Sequence, residues 1–331
     1  MNKKTYIIAE AGVNHNGSLQ IAKKLIKAAK LAGADAVKFQ AYVADEMVSN
    51  ELATANYQKK NTKIKNQYNL LKKYELSFSN LKELKKYADI LNIDYLLSVF
   101  DETSLQNVKN LKLKNIKIPS GEITNYLLLK KVKNFNNIII STGASNQTDV
   151  SKTLNFLIKS GVKKKKITLL QCNTSYPSPD QDANLNVIKN FKEKFNIKVG
   201  YSDHTQNILA PSIAVALGAV LIEKHITLNK RMKGPDHFAS FDFSRFKKMT
   251  ELIRNTEILL GNKTKKITRS EKGNINFIRK FLVSKAIIEK NEKFSLKNLK
   301  SQRTGKGISA EKILTVLGKK SKKKYFKNQI I

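Results

Sequence analysis

Short apolar runs alternate with helix-like segments along most of the chain, and this alternation limits the folds open to it. The first run, Thr5 to Ala9, precedes an amphipathic segment that Ser18 can cap and Gly33 ends, and a second run follows from Ala34 to Phe39. A strand, a helix and a strand in this order form a βαβ unit, which requires a parallel sheet. The sequence therefore opens as an α/β protein.

Six further apolar runs continue the pattern: Asp94 to Phe100, Ile116 to Pro119, Ile138 to Ile140, Ile167 to Leu170, Ile197 to Tyr201 and Ala219 to Ile222. Eight such units in roughly 260 residues match the size of a (β/α)8 TIM barrel, and an open doubly wound sheet is the alternative. The barrel is favoured because a polar residue follows every predicted strand, and in a barrel these positions converge on one cleft: Glu10, Lys38, Asp101, Ser120, Ser141, Asn173, His204 and His225.

The domain organisation changes after Gly261. Residues 262–276 are polar and basic and predict a linker. Residues 277–331 contain β-like segments at Phe281 to Ile288 and Phe294 to Leu296, followed by a Gly-rich loop that begins at Arg303. We therefore predict a catalytic barrel over residues 1–261 and a small β-rich domain over residues 277–331, which is small enough to need a partner surface.

Composition argues against a nucleic-acid-binding protein, a membrane protein and a disulfide-stabilised secreted protein. Lys and Arg number 62 against 26 Asp and Glu, for a net charge of +36, but the lysines are scattered over helix faces without interleaved aromatics. Solvated surfaces are therefore favoured over nucleic-acid binding. No apolar run reaches the ~18 residues of a membrane span, and the N-terminus lacks a signal-peptide pattern. The single cysteine, Cys172, excludes an internal disulfide and favours a cytoplasmic location.

Two of the four histidines, His204 and His225, lie three residues beyond the ends of two consecutive predicted strands. Parallel strands in a barrel end on the same face, so both imidazoles should lie there. Imidazole nitrogens bind divalent metals, and Asp203, Glu223 and Asp236 could add oxygen ligands. The alternative is that each histidine only hydrogen-bonds at its strand end. The matching positions of the pair favour a metal site.

One segment interrupts the regular alternation. Residues 41–79 are polar and rich in Lys and Asn over their first part, with no strand pattern. The segment is long for a structureless loop, and long loops in compact domains are often functional.

Several short motifs, in order along nearly the whole chain, resemble those of the sialic acid synthase family. They are Ala9–Gly17, Val37–Gln40, Lys117–Glu122, Ser141–Gly143, Tyr176-Pro177, Ser202–Thr205, Glu223–His225 and Gly234–Asp236. The C-terminal region resembles the antifreeze-like (SAF) domain of these synthases, with Arg303-Thr304-Gly305 in place of the usual Arg-Pro-Gly. The 41–79 segment, with Ala55-Asn56-Tyr57-Gln58, and the run Gly234–His237 are more similar to bacterial legionaminic acid synthases than to N-acetylneuraminate synthases.

The resemblance implies a function and a set of site residues. Members of the family condense phosphoenolpyruvate with an N-acylated hexosamine, using a divalent metal, usually Mn²⁺ with Mg²⁺ or Co²⁺ possible, on His204 and His225. The matched phosphoenolpyruvate-binding positions are Lys38, Lys117, Ser120, Ser141 and Ser202, with either Asn173 or Thr174. The sugar-contacting positions are Gln40, Tyr176 and Asp236, and the catalytic carboxylates are Glu10, Glu122 and Glu223. The resemblance also implies a domain-swapped homodimer in which Arg303 reaches the sugar's N-acyl group in the other chain.

Other readings of the same residues stay open. Lys38 or Lys117 could form a Schiff base in a metal-independent class I aldolase. The chain could also be a non-catalytic basic protein that binds carbohydrate or nucleic acid. Among single residues, Ser141 could cap a helix, Tyr176 could be packing, and His15 is expected to be structural. The sequence leaves the acceptor sugar and the role of His237 undecided.

Overall fold

Eight parallel strands close into a barrel in the first part of the chain. The computed structural model describes residues 4–331, and it divides them at Gly261 into two compact units. Each barrel strand pairs with the next, and the last returns to the first, where Glu10 pairs with His225. The predicted (β/α)8 barrel is therefore confirmed. Its strands are β1 (Tyr6–Gly12), β2 (Ala36–Ala41), β3 (Asp94–Val99), β4 (Asn115–Ile118), β5 (Asn137–Ser141), β6 (Ile167–Cys172), β7 (Lys198–Asp203) and β8 (Leu221–His225).

Helices pack around the outside of this barrel. Their buried faces, such as Leu25 and Ile26 in the first helix and Phe246 and Met249 in the last, form one core with the outward side chains of the strands. Ser18 caps the first helix, as predicted, by accepting a hydrogen bond from Ile21 N. The helices are α1 (Leu19–Leu31), α2 (Ala44–Met47), α3 (Asn56–Thr62), α4 (Gln67–Tyr74), α5 (Phe78–Ile90), α6 (Glu102–Asn110), α7 (Tyr126–Leu129), α8 (Gln147–Lys159), α9 (Val187–Phe195), α10 (Ala210–Ala216) and α11 (Phe243–Leu260).

The inside of the barrel is layered. Six inward side chains form a separate buried cluster, here called the apolar layer: Ile8, Ala36, Leu96, Ile139, Leu170 and Leu221. Two residues farther along the same strands, on the same face, the side chains are mostly polar: Glu10, Lys38, Ser98, Ser141, Cys172 and Glu223. The apolar layer therefore lies directly beneath the C-terminal end of the barrel, where those polar groups meet.

Gly200 lets the apolar layer close. A Cβ at this position would lie 2.4 Å from the Leu221 carbonyl oxygen and 2.7 Å from Leu170 Cδ2. Both distances are well below van der Waals contact, so any side chain here would push β7 away from its neighbours. Glycine two residues before the Ser202–Thr205 motif thus serves the packing of the barrel interior.

The segment between β2 and β3 is helical rather than structureless, because it contains α2, α3 and α4. These short helices build their own apolar cluster, here called the insertion cluster: Val13, Tyr42, Ala44, Leu70, Leu71 and Tyr74, with Met47 and Phe100 packed against it. The Tyr42 hydroxyl donates to the Leu71 carbonyl oxygen at 3.0 Å, which ties the end of β2 to α4. The insertion is therefore a packed substructure next to the barrel mouth.

The second unit, residues 262–331, has a two-stranded antiparallel sheet of β9 (Phe281–Ser284) and β10 (Leu299–Gln302), with short helices α12 (Arg269–Lys272), α13 (Ile275–Ile278) and α14 (Ile313–Val316). The predicted strand at Phe294 to Leu296 is wrong. Phe294 enters the unit's apolar core, whereas Leu296 is exposed in a turn that Asn298 closes by accepting from Ser295 N at 2.8 Å. The apolar residues of this segment have the sequence pattern of a strand, but the backbone forms a tight turn.

Residues 4–331 contain no helix that is both long and apolar enough to cross a membrane.

Candidate active site

A cavity of about 230 Å³ opens at the C-terminal ends of the barrel strands. Strand ends and the loops after them supply one side of it, and the insertion supplies the other. Most of the predicted site residues line it: Glu10, Lys38, Gln40, Lys117, Ser120, Ser141, Thr174, Tyr176, Ser202, His204, Glu223, His225 and Asp236. The barrel thus brings residues from all parts of its sequence into one cleft, as the pattern of polar strand ends predicts.

Four buried charged side chains form the floor of the cavity, here called the charge cluster: Glu10, Lys38, Lys117 and Glu223. Lys38 Nζ lies 2.6 Å from Glu10 Oε2 and 3.7 Å from Glu223 Oε2. Lys117 Nζ donates to both Glu223 oxygens, at 2.8 and 3.0 Å. All four side chains are almost fully inaccessible to solvent. Two lysines and two carboxylates therefore balance each other away from water, where an unpaired charge would be costly.

The charge cluster shifts the pKa values of its two carboxylates in opposite directions. Burial alone would raise the pKa of Glu223, but Lys117 and Lys38 outweigh it and hold that pKa far below the usual value. Burial raises the pKa of Glu10, and repulsion from Glu223 adds to the rise against the opposing pull of Lys38. Glu223 is consequently the ionised carboxylate, and Glu10 is the one that takes up a proton more readily.

Serine hydroxyls surround the charge cluster. Ser202 Oγ donates to Glu223 Oε1 at 2.8 Å, and Ser120 Oγ accepts from the Gly143 N–H at 2.9 Å. Ser141 Oγ is buried and has no hydrogen-bond partner among the residues described. Because buried hydroxyls are normally satisfied, Ser141 is free to bond a ligand in the cavity.

His204 and His225 lie side by side at the edge of the charge cluster, with ring centroids 5.3 Å apart. His204 Nδ1 lies 2.6 Å from the Asn173 carbonyl oxygen and donates to it, so in the neutral ring Nε2 carries the lone pair. His225 Nδ1 is buried without a partner in the described part of the chain. Burial, and then repulsion from His204, lower the pKa of His225 well below its usual value, so this imidazole is neutral.

The pair of imidazoles fits a divalent metal in two respects. A neutral His225 and the bond from His204 Nδ1 to a carbonyl are both typical of metal-ligating histidines. Residues 4–331 do not, however, place a third His, Cys, Asp or Glu in a cluster with them. Two histidine ligands leave coordination positions open, which is the arrangement of a catalytic rather than a structural site.

Asp203, one of the three acidic residues expected near the histidines, faces away from the cavity. Its carboxylate pairs with Lys224 at 2.7 Å, and Lys224 Nζ lies 4.1 Å from the centre of the Phe241 ring in the outer core. The physical reason is the alternation of side chains along a strand, which sends the neighbours Asp203 and His204 to opposite faces. Glu223 and Asp236 do line the cavity.

The loop after β8 carries Asp236 into the cavity. Burial, and then repulsion from Glu10, raise the pKa of Asp236 to about 7. Asn16 Nδ2 donates to the Lys233 carbonyl oxygen at 3.0 Å, and His237 bonds Thr227 Oγ1 at 2.7 Å, so both ends of the loop are fixed. Asp236 is thus held as a half-protonated acid at neutral pH.

The insertion forms the outer wall. The Tyr57 ring stacks on Tyr176 with centroids 5.3 Å apart, and Tyr176 lies 4.1 Å from the His204 ring. Asn61 Nδ2 donates to the Pro235 carbonyl oxygen at 2.8 Å, which joins α3 to the loop that carries Asp236. The insertion is therefore built into the cavity through both aromatic and polar contacts.

Three predicted site residues lie elsewhere. Glu122 is in a short 3-10 turn beyond Ser120, where its carboxylate accepts from Asn125 Nδ2 at 2.7 Å. The Asn173 side chain accepts from Ser175 N at 2.7 Å, while its neighbour Thr174 lines the cavity. Arg303 belongs to the second unit, in the Gly-rich loop after β10.

Comparison with known families decides what kind of barrel this is. Residues 25–265 match the model of the NeuB family, which covers most of the barrel unit and all but the first of its strands. This chain belongs to the NeuB family. The resemblance to sialic acid synthases that the motifs indicate is thereby confirmed.

Individual relatives agree with the NeuB assignment. The chain is 46% identical over 331 residues to the N,N'-diacetyllegionaminic acid synthase of Campylobacter jejuni, with 99% of each chain covered. It is 39% identical to the enzyme of the same name from Legionella pneumophila, over 95% of this chain and 89% of that one. The crystal structure of N-acetylneuraminic acid synthetase from Leptospira borgpetersenii superposes with a TM-score of 0.75 at 31% identity, covering 83% of this chain and 92% of the other. The predicted enzymatic nature of the chain is confirmed with its NeuB membership.

Several cavity residues of this NeuB-family chain are absent from the sequence-based set. Cys172 and Ser98 follow the same inward alternation as Glu10 and Lys38, so the strand pattern could have identified them. The insertion residues that line the cavity could not be found in this way, because no repeat marks them: Met47, Tyr57, Gln58, Gln67, Leu70, Leu71 and Tyr74.

The remaining histidines of the NeuB-family barrel hold loops. His15 is buried, packs against Phe39 at a ring distance of 6.0 Å and accepts the Gly17 N–H on Nδ1 at 3.0 Å. His237 bridges Thr227 and Asn16, with Nε2 at 3.1 Å from Asn16 Oδ1. Both fix the loops that border the cavity mouth.

Proposed function

We propose that this protein condenses phosphoenolpyruvate with an N-acylated mannosamine-type sugar to give a nine-carbon nonulosonic acid and phosphate. The observation that carries the proposal is the joining, in one cavity, of a buried Lys38–Glu10 and Lys117–Glu223 cluster with the His204–His225 pair. The relatives named as synthases of legionaminic and sialic acids support the same reaction class.

Phosphoenolpyruvate is proposed to bind on the charge cluster. Lys38 and Lys117 offer cations to its carboxylate and phosphate, and the unpartnered Ser141 Oγ offers a hydroxyl, with Ser120, Ser202 and Thr174 or Asn173 around them. In the free protein both lysines are already balanced by Glu10 and Glu223. An incoming anion therefore adds uncompensated negative charge, which favours a second source of positive charge in the cavity.

A divalent cation on His204 and His225 is the proposed source. Mn²⁺ is preferred, with Mg²⁺ and Co²⁺ as alternatives. When bound, such an ion acts as a Lewis acid on the aldehyde oxygen of the open-chain sugar. Because Asn173 fixes the His204 tautomer and burial keeps His225 neutral, both imidazoles are prepared to act as ligands.

The bond-forming step joins the enol carbon of phosphoenolpyruvate to the sugar aldehyde carbon, after which water adds to the adjacent carbon and phosphate leaves. Glu10, whose pKa burial raises, is proposed to hold the proton that the aldehyde oxygen takes up. Ionised Glu223 is proposed to orient both lysines, and Glu10, ionised once it has given its proton to the aldehyde oxygen, to accept the proton of the water. Glu122, at the end of the 3-10 turn that begins at Ser120, is a candidate for relaying that proton outward.

The sugar is proposed to lie between the charge cluster and the insertion, in contact with Gln40, Tyr176 and Asp236. The two relatives named N,N'-diacetyllegionaminic acid synthases point to an acceptor with two acylamino groups, a diacetamido-trideoxy hexose rather than N-acetylmannosamine. Because Tyr176 stacks on Tyr57 and contacts the His204 ring, it is placed to contact the middle of such a sugar.

Residues 277–331 of the second unit are proposed to be an SAF domain, with residues 262–276 as the linker to it. Its Gly-rich loop has left-handed Gly305 and Gly307, which let the backbone around Arg303 approach a ligand closely. We propose a domain-swapped homodimer in which Arg303 serves the N-acyl group of the sugar in the other chain. The proposed setting is the cytoplasm, where Cys172 in the cavity wall stays reduced.

The deciding experiment measures phosphate release from phosphoenolpyruvate with a panel of N-acylated sugars. We expect release only when both substrates are present, loss on chelation and recovery with Mn²⁺. Imine trapping by borohydride on Lys38 or Lys117 together with activity in chelator would instead establish the Schiff-base aldolase. Salt-sensitive polyanion binding without phosphate release from any sugar would establish the non-catalytic alternative.

A further inference from the structure

Gln58 and the insertion cluster define an unassigned part of the cavity. Gln58 lies in α3 and lines the cavity together with Met47, Leu70 and Leu71. Its Oε1 is inaccessible to solvent and has no hydrogen-bond partner among residues 4–331. A buried amide oxygen without a donor is costly, so its position is one that a ligand N–H would satisfy.

The place of Gln58 in the cavity follows from a chain of contacts. The His204 ring contacts Tyr176 at 4.1 Å, and Tyr176 contacts Tyr57 at 5.3 Å. Gln58 follows Tyr57 in α3, and its side chain lines the same cavity. A sugar whose aldehyde lies at the histidines must extend its later carbons toward this outer wall, because the charge cluster and the apolar layer close the other direction.

The outer wall of the cavity combines aliphatic side chains with one hydrogen-bond acceptor. The insertion cluster offers aliphatic side chains, of which Leu70 is 1% and Leu71 8% exposed. Next to them stands one unsatisfied acceptor, Gln58 Oε1. A hydroxyl substituent could donate to this acceptor, but it has no apolar part to cover the aliphatic surface. An acylamino group instead presents an N–H donor and an apolar methyl, and so matches both features at once.

We propose that Gln58 and the insertion cluster form a subsite for the second acylamino group of the acceptor sugar. Gln58 Oε1 accepts the amide N–H, and Met47 and Leu71 contact the acyl methyl group. The proposal rests on the proposed function, because it requires a sugar acceptor in the cavity. It assigns a selectivity for doubly acylated sugars to residues of α2, α3 and α4.

The test compares two acceptors that differ only at the second position, a 6-deoxy sugar with two acetamido groups and its counterpart with a hydroxyl in place of the second. Gln58→Met keeps the length of the side chain and removes the acceptor. We expect kcat/KM for the doubly acylated sugar to fall about tenfold or more, since a buried N–H is left unpaired, and kcat/KM for the hydroxyl sugar to fall by a clearly smaller factor, because a hydroxyl can turn its O–H to water. The KM for phosphoenolpyruvate should stay unchanged.

A second variant controls for a possible folding defect of Gln58→Met. Met47→Gln makes the apolar side of the subsite polar at a partly exposed position, and we expect it to lower the preference for the acyl group in the same direction. An equal loss for both sugars in both variants would overturn the subsite while leaving the condensation intact. Absence of phosphate release with every sugar in the wild-type protein would overturn the proposed function itself.

Discussion

Lys224 and Asp203 form an ion pair in which neither side chain is exposed, with 2.7 Å between Lys224 Nζ and Asp203 Oδ2. Asp203 Oδ1 also accepts from the Tyr201 hydroxyl at 3.0 Å and from Thr205 N at 2.8 Å, while Lys224 donates to the Thr205 carbonyl oxygen. These bonds fix the backbone on both sides of His204. The outer core of the barrel thereby determines where a residue of the cavity stands.

Replacing one member of this pair should destabilise the protein strongly. Lys224→Met leaves Asp203 buried and unpaired, and we expect a loss of about 3–5 kcal/mol in unfolding free energy, measured by denaturant titration. The matched control is Lys248→Met, because Lys248 pairs with Glu251 at 3.6 Å on the surface. That variant should change stability by less than about 1 kcal/mol. Equal effects would show that the buried pair contributes no more than a surface one.

Either histidine of the pair should be indispensable for the proposed reaction. His204→Ala and His225→Ala each remove one nitrogen ligand, so we expect turnover to be abolished and Mn²⁺ affinity to fall by at least about tenfold. Mn²⁺ binding followed by calorimetry provides the measurement, independent of activity. His237→Gln is the control, because His237 bonds Thr227 and Asn16 instead. Near-normal activity of either alanine variant without added metal contradicts the metal site.

Lys117 should matter more for phosphoenolpyruvate than for the sugar. Lys117→Ala removes a buried cation, and a charged hydrogen bond of this kind is worth roughly 1.5–3 kcal/mol, or about 10- to 150-fold in affinity. We therefore expect KM for phosphoenolpyruvate to rise in this range with a much smaller change in KM for the sugar, in initial-rate measurements. An equal rise for both substrates would indicate a structural role of Lys117 through its pairing with Glu223.

Stability should depend on pH through Asp236. The folded protein raises the pKa of this carboxyl from 3.8 to about 7, so the folded state holds a proton that the unfolded state releases. The resulting stability is fully present below pH ~4 and is lost as pH rises toward 7, by up to about 4 kcal/mol. Asp236→Asn carries no titrating proton. In chelator, the wild-type unfolding free energy should fall relative to this variant between pH 4 and 7; a constant difference would contradict the assignment.

Complementation between inactive variants tests whether Arg303 serves another chain. In a domain-swapped homodimer, mixing His204→Ala with Arg303→Ala subunits gives a heterodimer with one doubly defective site and one intact site. We expect activity to reappear after the two variants are unfolded and refolded together. Mass spectrometry must show that heterodimers have formed. Heterodimers that stay inactive would place Arg303 in the site of its own chain, or in neither.

The barrel and its polar rim could be predicted because both depend on local patterns. Lys38 and Lys117 stand out in apolar strands, and the charge cluster of the structure explains how they are tolerated there. Asp203 was placed in the cavity because it adjoins His204, although the alternation of side chains along β7 sends it outward. For Asp203, the alternation of side chains along the strand predicts the position correctly and adjacency to His204 does not.

The insertion could not be predicted to the same depth. Its length marked it as functional, but Gln58 and Leu71 reach the cavity only through the packing of three short helices. No periodicity encodes that packing, since α2 has four residues and α3 seven. Tertiary contacts such as Asn61 to Pro235 decide which side of α3 faces the site.

The apolar layer below the charge cluster has a kinetic consequence. Ile8, Leu96, Ile139, Leu170 and Leu221 close the barrel between this cavity and a second one of about 380 Å³ at the opposite end. Ligands can therefore enter and leave the charge cluster from one side only. Whatever binds deepest must arrive first and depart last, and a sugar seated on the outer wall blocks its exit. If phosphoenolpyruvate binds on the charge cluster as proposed, we therefore expect ordered addition in steady-state kinetics, with phosphoenolpyruvate before the sugar.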